Sequence, residues 1–399
     1  MATSGRTPRP SSPVGGRALA LLLTGLLFAG CSSARSGPDP TPDRPTAPAP
    51  RTATPTAPTA LTAACEVDLP AAWRSALDAG ELRAPAGERA VLTDTGPGWT
   101  VVQLSTGDRR RAALVRGDGA RRILLDLADP VEHQLLAADF DGRRWAAFAV
   151  LEGRTLDSPW SLYVWDAETG TSRRLARADL PGPLPQPVVR DGTVHWAQGV
   201  GDGRATVYAA AVTGGAPRAL RTGVMDAPFV AGGLLVWRES AGSGTRLAAV
   251  SLADGRPATP PGPLAALRDI RAIVSDGGTG SGGGGTWAWV EGETAPRLMV
   301  WRSGDARPTA VVTTSPAVDG MDQIRISGRL VTWRTPETSY ALDLEAGSYA
   351  RITPAYGYAQ ARGGALAVAY SLGNAKASGS RPVIQVVDAG RLPGLPRCG

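Results

Sequence analysis

From about residue 88 onward the chain repeats one pattern of short strands and glycine turns, at a loose period of roughly 36 to 52 residues. No other feature limits its possible folds so closely. Each unit opens with a strand that runs into a Gly turn, as in Asp139-Phe140-Asp141-Gly142, Val189-Arg190-Asp191-Gly192, Val230-Ala231-Gly232-Gly233 and Arg325-Ile326-Ser327-Gly328. The next strand is apolar and usually carries tryptophan: Trp145-Ala146-Ala147-Phe148, Val194-His195-Trp196, Leu235-Val236-Trp237, Trp287-Ala288-Trp289-Val290 and Leu330-Val331-Thr332-Trp333. Residues 99–104 and 365–370 take that place in the first and last units. A third, alternating strand reaches another Gly turn at 112–119, 162–170, 207–215, 247–255, 298–304, 340–347 and 383–390. A weaker fourth strand follows, often opening on Arg, as in Arg121-Arg122-Ile123, Arg173-Arg174-Leu175 and Arg218-Ala219-Leu220.

A four-stranded sheet with two apolar faces is covered only between neighbours, and a closed ring leaves no sheet unstacked. The expected fold is therefore all-β, a β-propeller of seven four-stranded blades, with six or eight left open by the irregular period. A short helical pattern over 69–82, around Trp73 and Leu77, precedes the strands. The seventh unit runs short, so the segment near Cys65 is expected to complete it.

The Asp-Gly strand ends, the following Trp, and the third strand Leu162-Tyr163-Val164-Trp165-Asp166 resemble TolB-like and WD40-like propeller repeats. The resemblance covers roughly 88–396. The Gly-His pair of WD40 repeats and the Ser-Pro-Asp-Gly turns of TolB are missing. What it implies is a fold, not an activity.

The N-terminus resembles that of bacterial lipoproteins. Arg6, Arg9 and Arg17 precede an apolar run at 18–30, too short to span a bilayer, which ends in Leu27-Phe28-Ala29-Gly30-Cys31. Phe28 stands where Leu is more usual in that motif. The resemblance implies a signal peptide over 1–30, removed before Cys31, and a diacylglyceryl group on that cysteine, with palmitate on its new amino group. Two or three acyl chains hold a protein stably on a membrane. No twin-arginine pair stands ahead of the apolar run. Residues 31–64, the cysteine and a stretch rich in Pro, Thr and Ala such as Pro48-Ala49-Pro50-Arg51-Thr52-Ala53-Thr54-Pro55, bury too little to order themselves. They read as a disordered linker reaching up to roughly 100 Å. The propeller is assigned to 65–399.

With Cys31 used by the anchor, Cys65 and Cys398 remain, one at the start of the folded region and one next to last. In an exported protein such a pair reads as a disulfide. The formal charge of +6 includes the three arginines of the signal, and the rest are interspersed with no basic run longer than Arg109-Arg110-Arg111. That excludes a nucleic-acid-binding reading.

Catalytic signals are sparse. There are only two histidines. His195 lies in an apolar strand and reads as packing; His133 beside Glu132 reads as a surface residue. Neither has a visible nucleophile partner, and no Gly-x-Ser-x-Gly elbow occurs. Asp139-Phe140-Asp141-Gly142, with Glu152 and Asp157 downstream, is the nearest approach to a metal site but lacks a calcium loop's further carboxylates, so a hairpin turn is expected. The Gly280–Gly285 stretch matches Gly-x-Gly-x-x-Gly only because it is polyglycine, with a Trp-rich strand after it. No catalytic residue, metal ligand or cofactor is assigned. Trp145, Trp196, Trp237, Trp289 and Trp333 recur in register and read as packing between blades. Trp73, Trp99, Trp160 and Trp301 lie off that register and are candidates for a binding surface. Arg143-Arg144 and Arg173-Arg174 read as solvated, with anion contacts as the alternative.

The function this implies is a lipid-anchored protein on the extracytoplasmic face of the cell membrane, whose propeller binds an envelope protein or glycan. The alternative is an extracytoplasmic enzyme acting in the central channel. The two differ in whether residues such as Asp139, Arg190, Asp226, Asp269, Asp322 and Gln360 converge on a deep pocket.

Overall fold

In the computed structural model, seven antiparallel sheets follow one another along the chain, and each pairs its strands in sequence order. The model describes residues 61–128, 132–242, 244–277, 285–292, 294–313, 320–372 and 380–399. Cys31, the signal and linker as far as residue 60, and most of the Gly280–Gly285 stretch lie outside them. The sheets are the blades: blade 1 at 89–127, blade 2 at 133–178, blade 3 at 188–223, blade 4 at 229–258, blade 5 at 270–312, blade 6 at 322–351 and blade 7 at 358–388. The first strand of each is innermost. That of blade 1, Arg89–Gly96, touches the first strands of both blade 2 and blade 7, so the circle is closed.

This up-and-down path gives the ring two unlike ends. Turns joining first to second strands and third to fourth strands lie at one end, the turn end. The second-to-third connections and the crossings between blades lie at the other, the loop end. The apolar clusters sit between adjacent sheets, for example Trp99, Leu114, Phe140 and Phe148 between blades 1 and 2.

The fourth residue of the second strand anchors most blades. Trp196, Trp237, Trp289 and Trp333 occupy it and are buried. In blade 2 that place belongs to Phe148, and Trp145 begins the strand instead, half-buried beneath the Arg144 guanidinium at 4.4 Å. Three of these anchors face an aromatic residue directly across the ladder: Phe148 on Tyr163, Trp196 on Tyr208 and Trp333 on Tyr340, with ring centroids 5.5–5.6 Å apart. Such cross-strand pairs add to the stability of a sheet beyond simple burial.

Ring closure differs from the sequence expectation. The strand Cys65–Glu66 does not complete blade 7; it adds a fifth, parallel strand to blade 6, opposite Ser348 and Tyr349. The helix Ala71–Ala79 follows and buries Trp73 and Leu77, one turn apart, against blade 7 and the C-terminal tail. Trp73 Nε1 donates to Pro393 O at 2.8 Å. Only after the helix does the chain supply the fourth strand of blade 7, where Leu82 N donates to Ile384 O and Val386 N donates to Gly80 O. Gly80 is required by this close approach, since a Cβ there would lie 2.4 Å from Val386 O.

The tail returns to blade 6. Asp343, fully buried, accepts from the backbone N–H groups of Glu345, Ala346 and Leu395 and pairs with Arg329. Cys398 is bonded to Cys65 beside Gly347, so both ends of the folded chain are fastened to one blade. The bond spans a sequence separation of 333, which by chain entropy contributes about 5 kcal/mol. Replacing both Cys65 and Cys398 with Ser is expected to lower unfolding stability by up to about 5 kcal/mol in denaturant titration with an unchanged native circular dichroism spectrum. A loss under about 1 kcal/mol would mean that the seam holds without the bond.

Candidate functional site

The central channel is floored near the turn end by one arginine. Arg362, last residue of the innermost strand of blade 7, reaches across to Asp94 of blade 1 at 3.1 Å and Asp139 of blade 2 at 2.7 Å. Its Nη1 also donates to Ala138 O, and its guanidinium lies 5.6 Å from the Trp99 ring centroid. The second oxygen of Asp139 accepts from Val189 N of blade 3 at 2.7 Å. One chain of charge-assisted hydrogen bonds thus links blades 7, 1, 2 and 3.

Burial raises the Asp139 carboxyl above its usual range; Arg362, Arg190 and the Val189 N–H oppose that, and Asp94 adds to it. For Arg362, burial works against the charge, but Asp139 and Asp94 outweigh it and hold the guanidinium above its ordinary value. Arg190 and Arg362 together balance Asp94 and Asp139, so the floor is neutral in sum.

The mouth, at the loop end, is different. Arg271, Arg325 and Arg334 of blades 5 and 6 stand there with Asp322, and the charges of Arg325 and Arg334 reach Tyr358 at the start of blade 7. Burial pushes the Tyr358 hydroxyl up to about 12, against the pull of Arg325 and Arg334. That hydroxyl donates to Gln360 Oε1 at 2.8 Å, while Gln360 Nε2, fully buried, has no partner among the described residues. Three non-glycine residues with positive φ adjoin the innermost strands here: Asp269 at 54°, Gln323 at 47° and Tyr356 at 59°. Such conformations cost energy and persist only where the surroundings enforce them.

The residues singled out in the sequence scatter along this axis. Asp139 belongs to the floor, with Arg190 nearby; Asp322 stands at the mouth and Gln360 in the wall. Asp226 and Asp269 lie in blade crossings and hold backbone in place: Asp226 pairs with Arg238, which also donates to Ile270 O and Arg271 O, and Asp269 accepts from Thr245 N. Arg362 and Asp94 were missed. Their signal was a charged residue near the end of an innermost strand, opposite in sign between units.

Asp141 caps its own hairpin through the N–H groups of Arg143, Arg144 and Trp145. Glu152, at the other end of the blade, accepts from Ser161 Oγ and pairs with Arg177. Among the described residues no group of three or more His, Cys, Asp or Glu side chains is placed to hold a metal ion. Arg144 pairs with Asp166 and Glu168, and Arg173 donates to Val212 O of blade 3, so neither is simply solvated. Trp73, Trp99, Trp160 and Trp301 are all buried and form no binding surface, although Trp99 underlies the floor. His133 is half-buried at the start of blade 2. His195 is buried in blade 3, its Nδ1 without a hydrogen-bond partner among the described residues, and burial together with Arg218 and Arg190 lowers its pKa to about 4.

The chain matches no protein-family model and no curated protein sequence. It is similar to a solved structure from a study of two prolyl endopeptidases and the role of their inter-domain dynamics, with 15% identity and a TM-score of 0.51 over 78% of this chain and 48% of that one. The chain therefore spans about half the length of that structure, and the likeness is one of fold. It is also similar to the β-propeller domain of the Trilobed protease from Pyrococcus furiosus (10% identity, TM-score 0.47, 70% of this chain and 91% of that). TolB from Acinetobacter baumannii matches at 10% identity and a TM-score of 0.41, over 75% of this chain and 79% of that.

Replacing Arg362 with Leu leaves two buried carboxylates facing each other and is expected to cost about 3–5 kcal/mol at pH 7. The remaining Asp139 carboxyl then has a folded-state pKa well above its unfolded value, so stability returns as pH falls through the folded pKa. Melting curves should show a smaller deficit at pH 4.5 than at pH 7.5; an equal deficit would assign the loss to packing alone. His195 has the opposite sign. It stays neutral when folded while the unfolded chain takes up a proton, so stability is lost as pH falls from 6.5 to about 4. Wild type should lose about 3 kcal/mol more than His195→Gln across that window. Parallel curves for the two proteins would show that His195 titrates normally.

Proposed function

We propose that this chain is a membrane-tethered binding propeller, carried on lipidated Cys31 at the extracytoplasmic face, whose loop end takes a protein partner of the envelope. The observation that carries this reading is where the apolar side chains are left exposed. Among the described residues, seven of the nine exposed large hydrophobic residues lie at the loop end: Leu156, Leu180, Leu184, Val200, Val224, Tyr356 and Leu372. The other two, Val91 and Ile123, are on strands of blade 1, and none is on the hairpins of the turn end.

Five of the seven are gathered on blades 2 and 3 and the crossing to blade 4. The crossing at 179–187, which carries Leu180 and Leu184, is pressed against the second strand of blade 3. A Cβ on Gly199 would lie 2.0 Å from Pro181 O, and one on Gly182 would lie 2.5 Å from Gly199 N. Val224 follows Gly223, which pairs with Ala205 beside the turn that Val200 enters. These side chains are held in place on packed backbone, so little ordering cost attends their burial by a partner. Exposed apolar groups gathered in one region mark protein contact surfaces. Aliphatic side chains with one exposed aromatic suit a protein better than a sugar ring, which stacks on aromatic faces.

The tether supports the same polarity. The chain enters blade 6 beside Gly347, in a turn-end hairpin, and runs toward the loop end. The loop end is therefore the face away from the attachment point. For a channel enzyme the floor would have to supply reacting groups, but its carboxylates are already committed to Arg362.

A photo-cross-linking residue placed at Leu180 in living cells is expected to give a discrete protein adduct in the membrane fraction. One at Arg256, exposed at the turn end, should give none. Val200→Glu should abolish the Leu180 adduct without lowering the melting temperature. Adducts of equal yield from both ends, or a Leu180 adduct insensitive to Val200→Glu, would refute the proposal.

A further inference from the structure

The channel mouth over blades 5 to 7 holds more positive charge than its surroundings use. Among the described residues, none of Arg271, Arg325 and Arg334 closes an ion pair within 4.0 Å. The Nη1 of Arg325 turns back to Ile324 O at 3.1 Å. Asp322 is the carboxylate facing them, and it is near enough to feel Arg334 and Arg271 without contacting either. Several other arginines of the ring do find carboxylates: Arg362 has Asp94 and Asp139, Arg329 has Asp343, and Arg221 and Arg246 share Glu239. Three guanidinium groups with a single carboxylate near them contrast with those pairs.

Further features of the same wall point to a ligand. Gln360 Nε2 is a buried donor without an acceptor, two residues below Tyr358 on the same strand. An unmet buried donor is costly unless something else satisfies it. Of the five left-handed non-glycine residues among the described residues, Asp269, Gln323 and Tyr356 fall at the mouth on consecutive blades 5, 6 and 7, and Asp191 and Asp202 lie on blade 3. At Gln323 the ladder between Asp322 and Arg325 shifts register, as a bulge does when it re-aims neighbouring side chains. Strain on three consecutive blades, beside unpaired charge, is what a ligand clamp would show.

We propose that this mouth is an oxyanion-binding site, where Arg325 and Arg334, with Arg271 at the rim, grip a carboxylate or phosphate group entering from the loop end. Planar guanidinium forks match the two oxygens of either group. Confinement between sheets raises the local field, and the neutral floor leaves it uncancelled. The Tyr358 hydroxyl, its one proton given to Gln360 Oε1, stands beside them uncharged. The site is separate from the apolar surface over blades 2 to 4, and it does not depend on that surface having a partner.

Calorimetric titration of the full-length protein in detergent, with inorganic phosphate and separately with glutarate, tests this at constant ionic strength against chloride. Saturable binding of at least one of them is expected, and Arg256→Gln at the turn end should bind like wild type. Arg325→Gln/Arg334→Gln should bind at least tenfold more weakly, and Arg271→Gln, an exposed position where folding is not at risk, several-fold more weakly. Preference for phosphate would indicate a phosphorylated ligand, and preference for glutarate a carboxylate. Failure of both anions to saturate, or unchanged affinity in the double variant and in Arg271→Gln, would overturn the assignment.

Discussion

Nearly every sheet here is apolar on both faces, so no blade can be stable unless it lies between two others. A linear stack would leave two faces open to water, at about 25 cal/mol for each Å² of apolar surface exposed. Closure removes that cost and imposes a demand, because the last blade must be joined to the first by something other than the chain's own order. In this protein the join is made three times. The segment Gly80 to Leu82 supplies the outermost strand of blade 7, Arg362 spans from blade 7 to blades 1 and 2, and the Cys65–Cys398 bond fastens both termini to blade 6.

The same closure explains the channel's uneven charge. At the floor, innermost strands from several blades converge, water is scarce, and a buried carboxylate survives only if it is paired and hydrogen-bonded. Asp94 and Asp139 meet that condition through one shared arginine and backbone N–H groups. At the mouth Arg271 is exposed and Arg325 and Arg334 are half-buried, so among the described residues they stand without an ion pair at lower cost. A neutral base and a cationic rim over blades 5 to 7 follow from that difference in burial.

The two ends also differ in the work their connections do. Most turn-end hairpins are short and closed by glycine or by capping aspartates such as Asp141, the link from Ser275 to Thr286 in blade 5 being the exception. At the loop end the crossings between blades and the longer second-to-third links carry most of the exposed apolar side chains. The chain enters the propeller beside Gly347, at the plain end.

Much of this could be read from residues alone. The period of strands and glycine turns, the seven third strands and the burial of Trp196, Trp237, Trp289 and Trp333 are local patterns, and local patterns survive folding because each blade is built from contiguous chain. The pairing of Cys65 with Cys398 was legible too, since with Cys31 set aside as the expected anchor only these two cysteines remain. Trp145 misled because one tryptophan looks like another in a string of residues, whereas a shift of three positions along a strand changes what it packs against. The closing strand was misplaced by the helix between Cys65 and Gly80, a detour that no periodicity records. Arg362 meets Asp94 and Asp139 across sequence separations of 268 and 223 residues, and only a closed ring puts them within hydrogen-bonding distance. The sequence by itself determined the repeating sheet and its two buried faces, because side-chain alternation is a property of neighbours. Which charges met at the floor, which were left unpaired at the mouth, and which leucines faced water were decided by tertiary structure alone, because those depend on how far round the circle each blade lies.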